Sequence, residues 1–199
     1  MRVSRTTVGT VRDAIDQMTA RQPRLAFLIS PETGHILRFE DLQERSRRFY
    51  VWLRQKGLAS GDKVAFLMDN GLLTAQLFLG AMYGGFVSVP LNVRAGLSQL
   101  SYMLDHCDAK IVFVGSEYNS LVSDAMTSVQ RPIEVVAVDL ESWPEITRSQ
   151  EPEGNISSVK PEDPAMLMYS SGTTGRPNGA LHTHRSLVAH GRNTACSHQ

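Results

Sequence analysis

The chain has 199 residues, 42% of them apolar, a length that fits one large domain or two small ones and buries roughly 70% of the unfolded surface. Twenty basic residues balance twenty acidic ones, so no overall field draws it to nucleic acid or to an anionic membrane. The six histidines form no metal-ligand run, and no metal site is expected.

In chain order, Val8, Val11, Ala14, Ile15 and Met18 recur at helical spacing, and Pro23 closes that segment. LAFLIS (25–30) and HILRF (35–39) read as strands joined by Pro31-Glu32-Thr33-Gly34, a hairpin signal. Leu42, Phe49 and Leu53 then share one face of a helix, with Gly57 where a C-terminal cap belongs. KVAFLM (63–68) reads as a buried strand. The next helix, Leu72 to Met82, is apolar almost all round and should be covered on both sides. FVSVPL (86–91) is strand-like and ends at Pro90. A helix from Leu97 to His106, a strand KIVFVG (110–115), a helix over 117–129 and a strand IEVVAV (133–138) continue the alternation. Such alternation predicts an α/β fold: a mostly parallel sheet with flanking helices, plus the N-terminal hairpin. From Asp139 to Pro164 the sequence turns acidic and proline-rich, as a surface linker does. The expected division is 1–140 as an N-terminal α/β subdomain, 141–164 as linker and 165–199 as the start of a second subdomain.

The two cysteines, Cys107 and Cys196, match no zinc or redox spacing and read as free thiols. The N-terminus has no signal-peptide core, and no stretch reaches the ~20 apolar residues of a membrane span. A cytoplasmic location is the expectation.

After the linker, the apolar strand AMLMY (165–169) runs directly into SSGTTGRPNG (170–179). Those ten residues hold three glycines, four hydroxyls, one proline and no large apolar side chain, so they cannot be core. Glycines let the backbone turn tightly and bring its N–H groups close to a ligand. The hydroxyls of Ser170, Ser171, Thr173 and Thr174 add donors, which suit polyphosphate oxygens, since these only accept. A Gly/Ser/Thr cluster by itself is usually a plain surface loop. This one is neither a Walker A loop nor a GxGxxG fingerprint.

Tyr169-Ser170-Ser171-Gly172-Thr173-Thr174-Gly175-Arg176-Pro177-Asn178-Gly179 resembles the phosphate-binding signature of the adenylate-forming superfamily, which includes acyl-CoA synthetases and 4-coumarate ligase-like enzymes. Ten of the eleven positions fit. The stretches 38–70, 80–94 and 109–114, and HTHRSL (182–187), also resemble that family. The resemblance implies the large N-terminal domain of an AMP-forming carboxylic acid–CoA ligase. Its substrates would be a small-molecule carboxylic acid (fatty, aryl or short-chain), ATP with Mg²⁺, and coenzyme A. ATP would be held by Ser170, Ser171, Gly172, Thr173, Thr174, Gly175 and Asn178. His184 matches a histidine near the family's acyl pocket, although a surface histidine at a helix start is an equal reading.

Asn178 departs from the pattern, which has lysine there. A tolerated variant, a weakened enzyme and a non-catalytic binding module all remain open, with Arg176 a second cation nearby. Catalytic residues are expected beyond residue 199, so this piece is expected to be inactive alone. Apolar surface left exposed is expected to promote self-association.

Overall fold

The computed structural model describes residues 8–139, 155–170 and 176–197. Thr10 opens the first helix, α1 (Val11–Arg21), with a capping box: its hydroxyl accepts the Asp13 N–H, and the Asp13 carboxylate accepts the Thr10 N–H. Strands β1 (Ala26–Ile29) and β2 (Ile36–Arg38) pair antiparallel as the predicted hairpin, turning through Gly34 at φ +70°. Helix α2 (Phe39–Gln55) follows, and Gly57 at φ +83° lets the chain leave it in a left-handed turn.

Four parallel strands form the centre of the molecule: β3 (Lys63–Leu67), β4 (Val87–Pro90), β5 (Ala109–Gly115) and β6 (Glu134–Val138). They are connected by α3 (Leu72–Gly84), α4 (Leu97–His106) and α5 (Asn119–Met126). The chain then adds β7 (Pro164–Ser170), β8 (Asn178–Thr183) and α6 (His184–Ser197). The six-stranded order is β6-β5-β3-β4-β7-β8, with β7 parallel to β4 and β8 antiparallel to β7.

Alternation along β3 divides the core. Val64 and Phe66 face α2 and α3, where Phe49, Phe66 and Phe113 pack ring against ring at 5.4 and 5.7 Å. Ala65 and Leu67 face α4 and α5. The all-apolar α3 is covered on both sides as predicted. Leu73, Leu77 and Ala81 join the first cluster, while Tyr83 packs with Ile15, Leu37 and Leu42 in a third.

Two elements differ from the sequence reading. The helix expected over 117–129 is a 3₁₀ turn, Ser116–Tyr118, followed by the shorter α5. Residues 178–183 form a strand, its first two residues taken from the expected loop and the rest unassigned in the sequence reading. Most of the proposed linker lies outside the described residues, but its end is fastened to the core. Ile156 packs among core side chains, the Ser157 carbonyl accepts from Arg12 Nη1 at 2.8 Å, and the Ser157 hydroxyl lies 2.9 Å from that of Tyr50.

Candidate functional site

Strands β4 and β7 run side by side in the same direction, so Pro90 and Ser170 emerge at the same end of the sheet. In open α/β sheets that carboxyl end is where ligands bind. The chain returns as β8, pairing Tyr169 with Gly179 and Ser170 with Asn178. The segment between Ser170 and Asn178 thus starts and finishes at neighbouring points on the sheet's edge. Ser171, Gly172, Thr173, Thr174 and Gly175 lie outside the described residues; Ser170, Arg176 and Asn178 are exposed.

Close packing fixes the base of this connection. A Cβ on Gly179 would stand 3.1 Å from Leu167 Cδ1 and 3.3 Å from Tyr169 Cε1, so a hydrogen there leaves room for the Tyr169 ring. The Tyr169 hydroxyl reaches His106 Nδ1 at 2.8 Å, and burial pushes the phenol above its ordinary range. Asn92, Met103, Tyr169 and Ser170 help line a concavity of about 250 Å³. A neighbouring one of about 380 Å³ is lined by Ser98, Gln99, Tyr102, Arg176 and Pro177. Gln99 and Pro177 border both. Their linings include the polar side chains of Asn92, Ser98, Gln99, Ser170 and Arg176, donors that suit an anion accepting several hydrogen bonds.

His184 is fully buried at the first residue of α6. Its Nδ1 accepts the Val11 N–H at 3.3 Å, and its backbone N–H donates to the Asp163 carbonyl at 3.1 Å. The Nε2 atom is buried with no hydrogen-bond partner among the described residues. Burial lowers its pKa to about 4; Arg12 adds to the effect, while Asp163 and Asp13 oppose it. His184 therefore faces α1, and it lines neither concavity.

Tyr102, His106 and the orientation of Arg176 were not anticipated as parts of this site. The four-residue spacing of Tyr102 and His106 marks them as helix-face neighbours, but nothing local in the sequence says that β7 and the end of the loop will reach them. Among the described residues, no group of three or more His, Cys, Asp or Glu could hold a metal ion by itself. No helix among them is long and apolar enough to cross a membrane.

Known proteins resemble this chain in sequence and in fold. Residues 15–199 match the family described as AMP-binding enzyme. The chain is 35% identical over 191 residues to a sulfoacetate–CoA ligase of Cupriavidus necator, covering 95% of this chain and 38% of that protein. It is 32% identical over 173 residues to the long-chain-fatty-acid–CoA ligase FadD13 of Mycobacterium tuberculosis, covering 86% of this chain and 34% of the relative. The crystal structure of the inhibitor-bound N-terminal domain of FACL13 from Mycobacterium tuberculosis superposes with a TM-score of 0.77 at 29% identity, over 88% of this chain and 44% of that one. This chain thus spans little more than a third of the length of these two ligases. On sequence and fold alike, it belongs to the AMP-binding enzyme family.

Proposed function

We propose that this chain is the N-terminal portion of an ATP-dependent, AMP-forming carboxylic acid–CoA ligase. The observation that carries this reading is the hydroxyl- and glycine-rich segment 170–179, set between β7 and β8 at the carboxyl end of the parallel strands. In this reading residues 1–140 form one subdomain, 141–164 a linker, and 165–199 open a second subdomain. The protein is cytoplasmic.

A carboxylate resists substitution because its leaving group is poor. Attack of the substrate carboxylate oxygen on the α-phosphorus of ATP expels pyrophosphate and gives acyl-AMP; the thiolate of coenzyme A then displaces AMP. Catalysis of the first step is mainly positioning and charge stabilisation. Backbone amides and hydroxyls of Ser170, Ser171, Gly172, Thr173, Thr174 and Gly175 would hold the β- and γ-phosphates, with Asn178 donating an amide N–H. The donor set fits a phosphate carrying its own Mg²⁺. Its hydroxyls can join an ion already bound to phosphate oxygens, but no carboxylate cluster is described that would capture the ion independently. The ion supplies positive charge that offsets the phosphate oxygens. His184 would sit behind the acyl side of the site, acting through α1 and β8 rather than by contact.

Asn178 favours a second reading, a non-catalytic binding module. Losing a charge-assisted hydrogen bond outright forfeits roughly 1.5–3 kcal/mol, or about tenfold to a hundredfold in turnover. One assay separates the readings: hydroxylamine trapping of acyl-AMP by a full-length protein containing this chain. The acids offered should include sulfoacetate, long-chain fatty acids and hydroxybenzoates, with Asn178→Lys run in parallel. Hydroxamate from one acid class, raised about tenfold or more by Asn178→Lys, is the expected result. No product from any acid with either protein would establish the binding module instead. Residues 1–199 alone are expected to show background ATP–pyrophosphate exchange.

A further inference from the structure

Both ends of the loop connection rest on one face of α4. At the start, the Tyr169 hydroxyl lies 2.8 Å from His106 Nδ1, and the two rings meet edge-on with centroids 5.9 Å apart. At the finish, the Arg176 guanidinium carbon stands 5.9 Å from the centroid of Tyr102. Tyr102 and His106 occupy successive turns of α4 and stack on each other at 5.2 Å, with 26° between their planes. Arg176, Tyr102, His106 and Tyr169 thus make one unbroken row that ties both stems of the loop to a single helix.

The row also directs a cation. Arg176 lines the concavity containing Ser98 and Gln99, which shares Gln99 and Pro177 with the concavity lined by Ser170. Asn178, which carries no charge, lines neither. Contact with a ring engages the flat face of a guanidinium and leaves its five edge donors available. Among the described residues Arg176 has no carboxylate within ion-pair distance, so those donors are open to an anion.

We propose that Arg176, aimed by Tyr102, is the cation that engages the β- and γ-phosphates of ATP in this protein, with Tyr102 and His106 of α4 holding Arg176 and Tyr169. The proposal rests on the reading of 170–179 as a phosphate loop. Tyr102 and His106 are positioning residues; Arg176 is the one that touches the ligand.

Calorimetric titration of a full-length protein containing this chain with MgATP and with AMP, which lacks the β- and γ-phosphates, tests it. Arg176→Ala is expected to weaken MgATP about tenfold and leave AMP unchanged, whereas Arg176→Lys retains most of the affinity. Tyr102→Leu reproduces the Arg176→Ala loss, Tyr102→Phe does not, and the Arg176→Ala/Tyr102→Leu double variant binds no more weakly than Arg176→Ala. His106→Leu weakens MgATP further in the Arg176→Ala background, because it releases the other stem. If Tyr102→Leu loses its native circular dichroism, Tyr102→Phe and the two Arg176 variants decide the matter. MgATP binding by the unaltered full-length protein that Arg176→Ala leaves intact, or a loss that is equal for AMP, overturns the proposal and spares the loop reading. Failure of the unaltered full-length protein to bind MgATP overturns the loop reading and this proposal together.

Discussion

His184 is held in a place that only the neutral ring fits. Its Nδ1 accepts a backbone N–H, so protonating that nitrogen would set two donors against each other in a site without water access. Its folded pKa, about 4, lies below the 6.5 of a free imidazole. The unfolded chain therefore binds a proton that the folded chain refuses. The His184 contribution to stability is intact above pH 6.5, declines as pH falls from there to about 4, and levels off below. By linkage the decline amounts to about 3 kcal/mol. Urea unfolding at a series of pH values should show this component in the unaltered chain and lose it in His184→Gln, which would be less stable at neutral pH but flatter in its pH response. A parallel decline in both proteins would place the acid sensitivity elsewhere.

Among the elements, α3 ends in close contact with two aromatic rings. A Cβ on Gly84 would lie 2.9 Å from two ring carbons of the fully buried Phe86 and 3.2 Å from Tyr50 Cδ2. Neither ring can swing away, so Gly84→Ala is expected to destabilise by about 1–3 kcal/mol. Gly191, inside α6, has nothing within 4 Å of an added Cβ, and Gly191→Ala is expected to stabilise by roughly 0.5–1 kcal/mol. Denaturation midpoints moving in opposite directions would confirm both. The same contrast between local and long-range causes explains what could be read from the residues alone. KVAFLM, FVSVPL and KIVFVG are apolar runs bounded by turn residues, and they become β3, β4 and β5. Gly34 and Gly57 also sit at the positive φ values their surroundings suggested. By contrast β8, Asn178-Gly179-Ala180-Leu181-His182-Thr183, has weak strand propensity, and its pairing with β7 makes it a strand. The glycine–hydroxyl pattern was legible because its order is informative residue by residue. The Arg176–Tyr102–His106–Tyr169 row was not, because it joins segments more than sixty residues apart.

At the scale of the molecule the sheet has two margins, and they are protected differently. The β6 margin carries Glu134, paired with Lys56. The β8 margin has no strand beyond it among the described residues and no charged side chain, while Leu181 is 56% and Met168 47% exposed. An uncharged open margin is a template for pairing with another chain. The isolated 199-residue chain is therefore expected to elute as a concentration-dependent oligomer in size-exclusion chromatography, and Leu181→Lys to shift it toward monomer. A clean monomer at high concentration would contradict this.

The position of β7 has a consequence for biosynthesis. Strands β3, β4, β5 and β6 are drawn from one continuous stretch, but β4 finds its outer partner only through the Ser88–Met166 register, about eighty residues downstream. At about 5–20 residues per second on the ribosome, the nascent β4 waits roughly ten seconds before β7 is made. During that interval its backbone is a free docking site for chaperones or for misplaced strands, so the hazard in making this protein falls between the synthesis of β4 and that of β7.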